Sequence, residues 1–302
     1  MRALVTGVNG QLGHDVMLSL QAHGHEAIGS GSTPLCRCTD LVAHMPYVQM
    51  DITSVDDTRA KLEEIRPEAV IHCSAWTAVD AAEDSENREK VFALNAQGPA
   101  NLAAVCEHIG SKLMMISTDY VFDGTGDAPW KPEDRCFAPL NVYGLSKLQG
   151  EQAVLDACTR SFVVRTAWVF GSNGHNFVRT MLRVGRSHDT VRVVNDQFGT
   201  PTYTKDLAEL LTEMIESEKY GVYHATNEGG YLSWYDFTRE IYAQAGLRTA
   251  VVPVTTAEYG LNKAERPFNS RLDKSKLPEA GFTPLPDWRD ALRRYLKETG
   301  EI

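Results

Sequence analysis

The sequence lacks the features of proteins that are stabilised by a structural metal ion, secreted or inserted in a membrane. Its six cysteines never show the C-x-x-C spacing of a zinc site, so free, mostly buried thiols are expected, with only Cys36 and Cys38 in a loop-like segment. No run reaches the roughly 18 apolar residues of a membrane span. Met1 and Arg2 lead directly into an apolar segment, without a signal-peptide pattern. We therefore expect a cytoplasmic protein that does not engage a membrane.

Positive charge is also scarce. Lys and Arg number 30 against 40 Asp and Glu, which gives a net charge of -10 and a pI near 5.4. Nucleic acids are held by clustered Lys and Arg, so this balance argues against a nucleic-acid-binding surface. Hydrophobic residues make up 43% and charged residues 23%, as in ordinary globular proteins, and 302 residues suffice for a catalytic domain with a smaller second one.

Short apolar runs alternate with amphipathic stretches over the first half of the chain, which is typical of parallel strands joined by crossover helices. Strands buried on both faces are predicted at ALVTG, EAIGS, YVQMDI, AVIHCSA, KLMMIST and SFVVRTAW. Helices are predicted at QLGHDVMLSLQAHG and SVDDTRAKLEEIR, and from Asp80 to Gly110 with an interruption at Gly98 and Pro99. The pattern indicates an α/β protein with a doubly wound parallel sheet.

The rhythm changes after Trp168. A helix is predicted from about Asn176 to Arg186, followed by a strand VRVVND and a turn QFGTPT. One more helix and one more strand of the main sheet are then predicted, at YTKDLAELLTEMIES and GVYHATN. We predict that residues 1–170 and 200–227 form a dinucleotide-binding domain. Residues 171–199 and 228–302 are predicted to form a smaller C-terminal α/β substrate-binding lobe.

A glycine-rich turn, TGVNGQLG, lies between the first strand and the first helix and contains Gly7, Gly10 and Gly13. Glycine permits a tight turn and a close approach of the backbone to a pyrophosphate, which the following helix N-terminus attracts. The spacing G-x-x-G-x-x-G in a strand–turn–helix context predicts a Rossmann-type dinucleotide site in the style of the short-chain dehydrogenases/reductases.

Two further segments bear on the dinucleotide. Asp51 and Ile52 end the third predicted strand, where the carboxylate would accept from an adenine amine or, alternatively, cap the next helix. The segment GSGS after the second strand has no acidic residue for a ribose 2′-hydroxyl. Arg37 is either a partner for a 2′-phosphate or part of an exposed loop, so the sequence leaves NADH and NADPH open.

The stretch NVYGLSKLQGE places Tyr143 four residues before Lys147, on one face of a helix. A phenol has an ordinary pKa of about 10, and a neighbouring ammonium would lower that pKa, making Tyr143 a usable proton donor to a carbonyl that accepts hydride. Thr118, in STDYVFDG at the end of a strand, could polarise the same carbonyl. The alternative is an ordinary surface pair, and the glycine loop upstream favours catalysis.

Six motifs resemble, in order and over nearly the whole chain, the dTDP-4-dehydrorhamnose reductases, extended short-chain reductases of L-rhamnose biosynthesis: TGVNGQLG, STDYVFDG, NVYGLSKLQGE, RTAWVFG, NDQFGTPT and RPFNSRLD. The resemblance implies that Thr118, Tyr143 and Lys147 form the catalytic set. Hydride from NADPH or NADH would go to C4 of dTDP-4-dehydro-β-L-rhamnose while Tyr143 donates the proton. Lys147 would also bind the nicotinamide ribose.

The resemblance also implies contacts with the cofactor and the substrate. The implied cofactor contacts are Gly10, Gln11 and Leu12 at the pyrophosphate, Asp51 and Ile52 at the adenine, and Ala75, Trp76 and Thr77 above the cofactor, supported by Asn95. The implied sugar contacts are Thr118, Asp119 and Trp168, the last of which is alternatively a core residue. Because arginine pairs with phosphate, the nucleotide and diphosphate end is assigned to Asn176, Arg266, Asn269 and Arg271, with surface ion pairs as the alternative.

The resemblance leaves other properties open. Some members of the family bind Mg²⁺ through glutamates at a dimer interface, but the first of those positions is Asp15 here and no other ligand is placed, so no metal site is predicted. A homodimer is one option for assembly. The alternative functions are a related nucleotide-sugar epimerase or dehydratase, and a non-catalytic subunit like the regulator of methionine adenosyltransferase. The motifs STDYVFDG and RPFNSRLD favour the reductase.

Overall fold

The computed structural model describes residues 1–35, 42 and 44–302; Cys36, Arg37 and Cys38 lie outside the described residues. A parallel sheet forms its centre, with strands β1 Arg2–Thr6, β2 Glu26–Gly31, β3 Tyr47–Gln49, β4 Ala69–His72, β5 Lys112–Thr118, β6 Ser161–Thr166 and β11 Gly221–His224. These seven strands lie in the order β11-β6-β5-β4-β1-β2-β3. The predicted doubly wound α/β sheet is therefore confirmed.

Helices cover both faces of this sheet because its strands are apolar on both sides. Val5 packs with Leu207 on one face, and the adjacent Leu4 packs with Leu62 on the other. The helices are α1 Gln11–Ala22, α2 Val55–Ile65, α3 Val79–Ala82, α4 Arg88–Phe92, α5 Gly98–Ile109, α6 Val142–Ala157, α7 Phe177–Ser187, α8 Thr204–Glu216, α9 Trp234–Gln244, α10 Thr256–Tyr259, α11 Lys276–Glu279 and α12 Trp288–Glu298. No helix among the described residues has both the length and the apolar character needed to cross a membrane.

The helical stretch around Gly98 and Pro99 differs from the prediction. A π-helical turn, Ala93–Gln97, continues directly into α5, and Pro99 lies in the first turn of that helix. Proline is tolerated there because the first-turn N–H groups have no partner within the helix. The predicted interruption was therefore wrong: the chain changes its helical pitch at this point and does not leave the helix.

The C-terminal half adds three short pairs of strands beside the main sheet: β7 Val169–Phe170 with β10 Thr202–Tyr203, β9 Phe198–Gly199 with β12 Leu232–Ser233, and β8 Thr190–Val194 with β13 Ala250–Val254. An aromatic core lies among them and includes Phe170, Tyr203, Phe237, Trp288 and Tyr295. This core is separate from the two that flank the main sheet. The exact division into 1–170 with 200–227 and 171–199 with 228–302 stays a prediction.

Four of the six cysteines lie among the described residues, and all four are free thiols. Cys106 and Cys158 are buried and Cys73 is half-buried, as small apolar residues in a core are expected to be. Cys136 is exposed, which the sequence did not indicate.

Candidate active site

The glycine turn lies at the carboxyl end of β1, in the middle of the sheet. Gly7 has a φ of +72°, and a Cβ on it would lie 2.7 Å from the backbone nitrogen of Ser74 after β4. A Cβ on Gly13 would lie 2.4 Å from the carbonyl oxygen of Gly7. Side chains at these two positions would therefore push the turn, the helix and the neighbouring loop apart, and the backbone stays bare where a pyrophosphate would approach.

Gln11 begins α1 immediately after its N-cap, Gly10. Its side-chain oxygen accepts from the backbone N–H of Gly171 at 2.9 Å and from Nδ2 of Asn176 at 3.0 Å. The side chain thus braces the glycine turn against the segment that precedes α7. Because the side chain is engaged in this way, Gln11 would contact a pyrophosphate through its backbone N–H. This N–H lies at the helix N-terminus, next to Leu12.

The predicted adenine end follows β3, which stops at Gln49, so Asp51 and Ile52 lie just beyond the strand. Asp51 is exposed, and its Oδ1 accepts from the backbone N–H and the hydroxyl of Thr53 at 2.9 and 2.7 Å. Ser54, and not Asp51, caps α2. Ile52 is buried in the core beside α5, so only its backbone can face a ligand.

Asn95 supports the loop that follows β4. The side chain of this fully buried residue accepts from the Trp76 backbone N–H at 2.8 Å and donates to the Trp76 carbonyl at 3.1 Å. It also donates to Ser146 Oγ at 3.0 Å, which ties the same loop to α6. Asn95 therefore fixes the segment Ala75, Trp76 and Thr77 relative to the helix that carries Tyr143, as the predicted support for a cofactor floor requires.

The end of β5 and the start of α6 bring the three predicted catalytic residues together. Thr118 is the last residue of β5, and its hydroxyl lies close enough to the phenol of Tyr143 to affect the pKa of that phenol. Lys147 follows one turn later on α6, where its buried ammonium donates to the Ile116 carbonyl at 2.7 Å. Asn141 caps α6 by accepting from the Gly144 N–H at 2.8 Å, so the helix starts immediately before Tyr143.

Burial governs the acidity of both groups. It raises the pKa of the Tyr143 phenol to about 12, although the nearby Thr118 hydroxyl acts in the opposite direction. It lowers the pKa of the Lys147 ammonium to about 8, against the opposing effect of Glu151. The predicted lowering of the phenol pKa by Lys147 was therefore wrong for this structure, because desolvation outweighs other effects and the ammonium is directed to the Ile116 carbonyl.

Asp119 adjoins Thr118 in a 3₁₀ turn, Asp119–Val121, and is buried. The Thr118 hydroxyl donates to Asp119 Oδ1 at 2.9 Å. Burial raises the pKa of the Asp119 carboxyl to about 6, against the opposing effects of the nearby Ser270 and Thr118 side chains. A carboxyl with this pKa changes its charge close to neutrality, at the point where a sugar hydroxyl was predicted to bind.

Trp168 occupies the boundary between the sheet and the aromatic core. Its φ is +50°, which is unusual for a residue with a side chain. The indole stacks on Trp234 with ring centroids 3.5 Å apart, and a Cβ on Gly199 would lie 2.8 Å from Trp168 Cε2. The ring is half-buried, so one part of it packs in the core and another part is exposed, and its contact with a deoxysugar stays a prediction.

Arg266 lies on a segment that is tied to α3. Asp80 accepts from its guanidinium at 2.7 Å and from the backbone N–H groups of Lys263 and Ala264 at 3.1 and 3.0 Å. The Arg266 charge acts on the phenol of Tyr120, whose ring packs edge-on against Tyr143 at 5.7 Å between centroids. The structure therefore brings Arg266 near Tyr120, the residue whose ring packs against Tyr143.

The other three residues assigned to the nucleotide end have local structural partners. Asn176 is the N-cap of α7 and accepts from the Arg179 N–H at 3.0 Å. Asn269 is buried and donates to the carbonyls of Thr125 and Ala128 at 3.1 and 2.8 Å. Arg271 donates to Asn269 Oδ1 at 3.0 Å and lies over the Phe198 ring. A direct substrate contact by these three stays a prediction.

The position of Asp15 bears on the metal question. Asp15 is buried, and its Oδ2 accepts from the Thr204 hydroxyl at 2.5 Å while Oδ1 lies 3.0 Å from His14 Nδ1. Among the described residues there is no group of three or more His, Cys, Asp or Glu side chains that could hold a metal ion.

A parallel sheet with a bare glycine turn on its first strand, and a tyrosine and a lysine one helical turn apart beside it, is the arrangement of a short-chain nicotinamide-dependent oxidoreductase. The comparisons with known proteins narrow this class. The family model described as the RmlD substrate binding domain matches residues 1–300. The chain belongs to this family, which confirms the resemblance seen in the six motifs.

Similar proteins agree with this assignment. The chain is 39% identical over 299 residues to dTDP-4-dehydrorhamnose reductase from Streptomyces griseus, covering 96% of this chain and 91% of that protein. It is 38% identical to the spore coat polysaccharide biosynthesis protein SpsK of Bacillus subtilis, covering 98% and 97%. A solved structure of dTDP-4-dehydrorhamnose reductase from Bacillus anthracis in complex with NADP has a TM-score of 0.88 and 36% identity, with 99% of both chains covered.

Several residues that shape the site were not identified from the sequence alone. Asp80 lies on α3 and Glu83 is its C-cap. Glu83 accepts from the Val142 N–H at 2.7 Å, at the start of α6. Glu151 and Arg165 form a buried ion pair under the same helix. The sequence shows acidic residues near Asp80 in a weakly helical stretch, and a glutamate one helical turn after Lys147. Neither pattern indicates which distant residue each carboxylate binds.

Proposed function

We propose that the chain reduces the C4 ketone of dTDP-4-dehydro-β-L-rhamnose to dTDP-L-rhamnose, with NADPH or NADH as the hydride donor. The observation that carries this proposal is the convergence of Thr118, at the end of β5, with Tyr143 and Lys147, one helical turn apart on α6. Family membership supports the nucleotide-sugar substrate, and the relatives named dTDP-4-dehydrorhamnose reductase support the reaction.

The glycine turn fits a dinucleotide. Gly7 and Gly13 leave room that a Cβ would fill, and the N-terminus of α1 directs backbone N–H groups to the same place. When bound, the reduced nicotinamide supplies the hydride. The end of β2 at Gly31 and Ser32 carries no carboxylate that would repel a 2′-phosphate, so the described residues are compatible with NADPH as well as NADH.

Tyr143 and Thr118 handle the ketone oxygen. An oxygen placed beside the phenol of Tyr143 receives a hydrogen bond from it as negative charge develops on that oxygen. The Thr118 hydroxyl donates to Asp119 Oδ1 in this structure, so it would turn away from that carboxylate to give a second hydrogen bond. The raised pKa of Tyr143 keeps the phenol protonated at neutral pH, which is the form that a proton donor needs. Because the phenol keeps its proton at neutral pH, that proton is available to the oxygen that becomes an alkoxide on hydride transfer.

The direct experiment supplies purified protein with dTDP-4-keto-6-deoxyglucose, a 3,5-epimerase and either NADPH or NADH, and follows nicotinamide absorbance together with the sugar product. We expect one mole of coenzyme to be oxidised for each mole of dTDP-L-rhamnose formed. A sugar product formed without net oxidation of the coenzyme would indicate an epimerase or dehydratase instead of a reductase. Absence of any turnover, with retained NADPH binding, would favour a non-catalytic subunit.

Location and assembly belong to the same proposal. We place the enzyme in the cytoplasm, where nucleotide sugars and reduced nicotinamides are available, and we propose a homodimer as its assembly. Light scattering on the purified protein tests the second point: a mass near 67 kDa, twice that of the 33.5 kDa chain, supports it, and a mass equal to one chain refutes it.

A further inference from the structure

A buried ion pair lies directly under the catalytic helix. Glu151 of α6 and Arg165 of β6 are each about 1% exposed. Nε and Nη2 of Arg165 donate to the Glu151 carboxylate at 3.0 and 2.8 Å, which is the forked geometry of a strong pair. No part of the proposed hydride or proton transfer uses either residue.

A buried histidine and two aromatic rings surround the guanidinium of this pair. Arg165 Nη1 lies 3.3 Å from Nε2 of His224, whose Nδ1 lies 3.0 Å from the Trp130 carbonyl. The guanidinium also lies over the rings of Phe122 and Phe137, at 5.0 and 5.2 Å from their centroids. Burial and the Arg165 charge hold the pKa of His224 well below its usual range, so the imidazole is neutral and accepts from Arg165.

Stability alone does not explain such a pair. Two charges removed from water lose their hydration, and replacing a buried ion pair with apolar residues of similar volume is often neutral or stabilising. An all-apolar cluster of Phe122 and Phe137 with aliphatic side chains would fill the same space. The pair therefore calls for a function outside the core.

Lys147 is the group that this pair can serve. Glu151 follows Lys147 by four residues on α6, so both side chains lie on one face of the helix. The other groups that face the ammonium are the Ile116 carbonyl on β5, the neutral imidazole of His72 on β4 and the thiol of Cys73. Burial holds the pKa of the Cys73 thiol near 12 and that of the His72 imidazole near 3, so both are uncharged at neutral pH.

Glu151 is consequently the acidic group that opposes the desolvation of Lys147, and Arg165 is the group that holds the Glu151 carboxylate in place. We propose that Glu151 and Arg165 are positioning residues that hold Lys147 as an ammonium ion, ready to bind the nicotinamide ribose. The inference rests on the proposed function for the role of Lys147, and it extends that function to a second buried layer.

The test replaces the pair in one step, as Glu151→Leu/Arg165→Met, so that no unpaired charge stays buried. We expect this double variant to fold with a free energy of unfolding close to that of the parent or above it. The titration midpoint of the Lys147 side chain, followed by NMR with ¹³C-labelled lysine and assigned with Lys147→Arg, should fall by about one pH unit or more from its value near 8. The alkaline limb of kcat/KM should fall with it.

A matched control removes a different pair. Arg294 donates to both carboxylate oxygens of Asp206 at 2.7 Å, between α12 and α8, and the variant Asp206→Leu/Arg294→Met should leave the Lys147 titration unchanged. If the Glu151→Leu/Arg165→Met variant does not fold, Glu151→Asp, which keeps the charge and moves it back by one methylene, provides the second measurement and should give a smaller downward shift.

An unchanged Lys147 midpoint in a folded variant would overturn the proposal. This outcome is distinct from failure of the proposed function, because the NMR titration is made without substrate or turnover. A shifted midpoint in a protein that reduces no keto sugar would retain the pair's role and reject the reaction.

Discussion

Trp168 and Trp234 stack face to face, with ring centroids 3.5 Å apart and planes inclined by 14°. The backbone of Trp168 has a φ of +50°, a conformation that costs a residue with a Cβ about 1–2 kcal/mol. Such a conformation persists only where the surrounding structure enforces it, and it is concentrated at functional sites. The pair therefore holds an indole in a costly conformation at the edge of the aromatic core, and the contact of this indole with a deoxysugar stays a prediction.

The first prediction concerns the glycine that accommodates this indole. In Gly199→Ala the new methyl would lie 2.8 Å from Trp168 Cε2, so the ring must move. We expect a several-fold rise in KM for the keto sugar, consistent with about 1–3 kcal/mol of overpacking, while the dissociation constant for NADPH stays the same. Steady-state kinetics and coenzyme titration measure the two quantities. An unchanged KM would show that Trp168 does not contact the sugar.

The second prediction concerns proton donation. Tyr143→Phe removes the phenol but keeps the ring, so turnover should fall by roughly 10²- to 10⁴-fold with coenzyme affinity retained. Single-turnover NADPH oxidation isolates the chemical step. Tyr120→Phe is the matched control, because its ring packs against Tyr143 and should keep most of the turnover. Equal losses in the two variants would point to packing and would remove Tyr143 from its assigned role.

The third prediction follows from the buried Asp119. Its carboxyl has a pKa near 6, above the ordinary 3.8, so below pH 6 it becomes a neutral acid and loses one acceptor for a sugar hydroxyl. We expect KM for the sugar to rise as the pH falls through 6, with NADPH affinity little changed. In Asp119→Asn, KM should be high at every pH and should lose this dependence. A parent KM that is flat from pH 5 to 8 would contradict a sugar contact.

The same carboxyl has a consequence for stability. Between pH 4 and 6 the folded state binds the proton more tightly than the unfolded state, so the contribution of this group to stability decreases as the pH rises through 6. A rise of about two pKa units corresponds to about 3 kcal/mol at neutral pH. Asp119→Asn should therefore raise the free energy of unfolding at pH 8 and give a smaller gain at pH 5, as urea denaturation at both pH values would measure.

The fourth prediction tests the diphosphate end. Arg266→Ala should raise KM for the nucleotide sugar and weaken binding of the product analogue dTDP by about 10- to 100-fold, the range for a charged hydrogen bond. Lys263→Ala is the matched control: this residue is on the same segment, and its ammonium pairs with Asp84 on the exposed side. Calorimetric titration with dTDP compares the two variants. Similar losses in both would assign the effect to the segment and not to Arg266.

The sequence predicted those parts of the fold that repeat a local pattern. The main strands were recognised because their two faces are both buried, so apolar residues run without a break, as in Ala69–His72. The pairs β7 with β10 and β9 with β12 were not predicted, because strands of two residues have no period to detect. The continuous helix through Pro99 was missed because a π-helical turn has no distinct residue pattern.

The residues of the candidate site also divide into those that a local sequence pattern indicates and those that only the folded chain brings together. The sequence could single out Gly7, Gly13, Tyr143 and Lys147 as candidates because the chemistry depends on short spacings along the chain. It could not indicate the pairing of Asp80 with Arg266, because the two are 186 positions apart and only the folded chain brings them together. The raised phenol pKa of Tyr143 was also not foreseen, because a sequence shows neighbouring charges but not the loss of water around them.

The bridge from Gln11 to Gly171 and Asn176 has a practical consequence for chimeric enzymes. Its acceptor belongs to the opening turn of the nucleotide fold, whereas both donors come from the segment that leads into the lobe. When this part of the chain is grafted onto a relative with a different residue at position 11, a backbone amide and an asparagine lose their common oxygen. Engineers who exchange lobes to alter sugar preference should therefore transplant Gln11 together with the 171–176 segment.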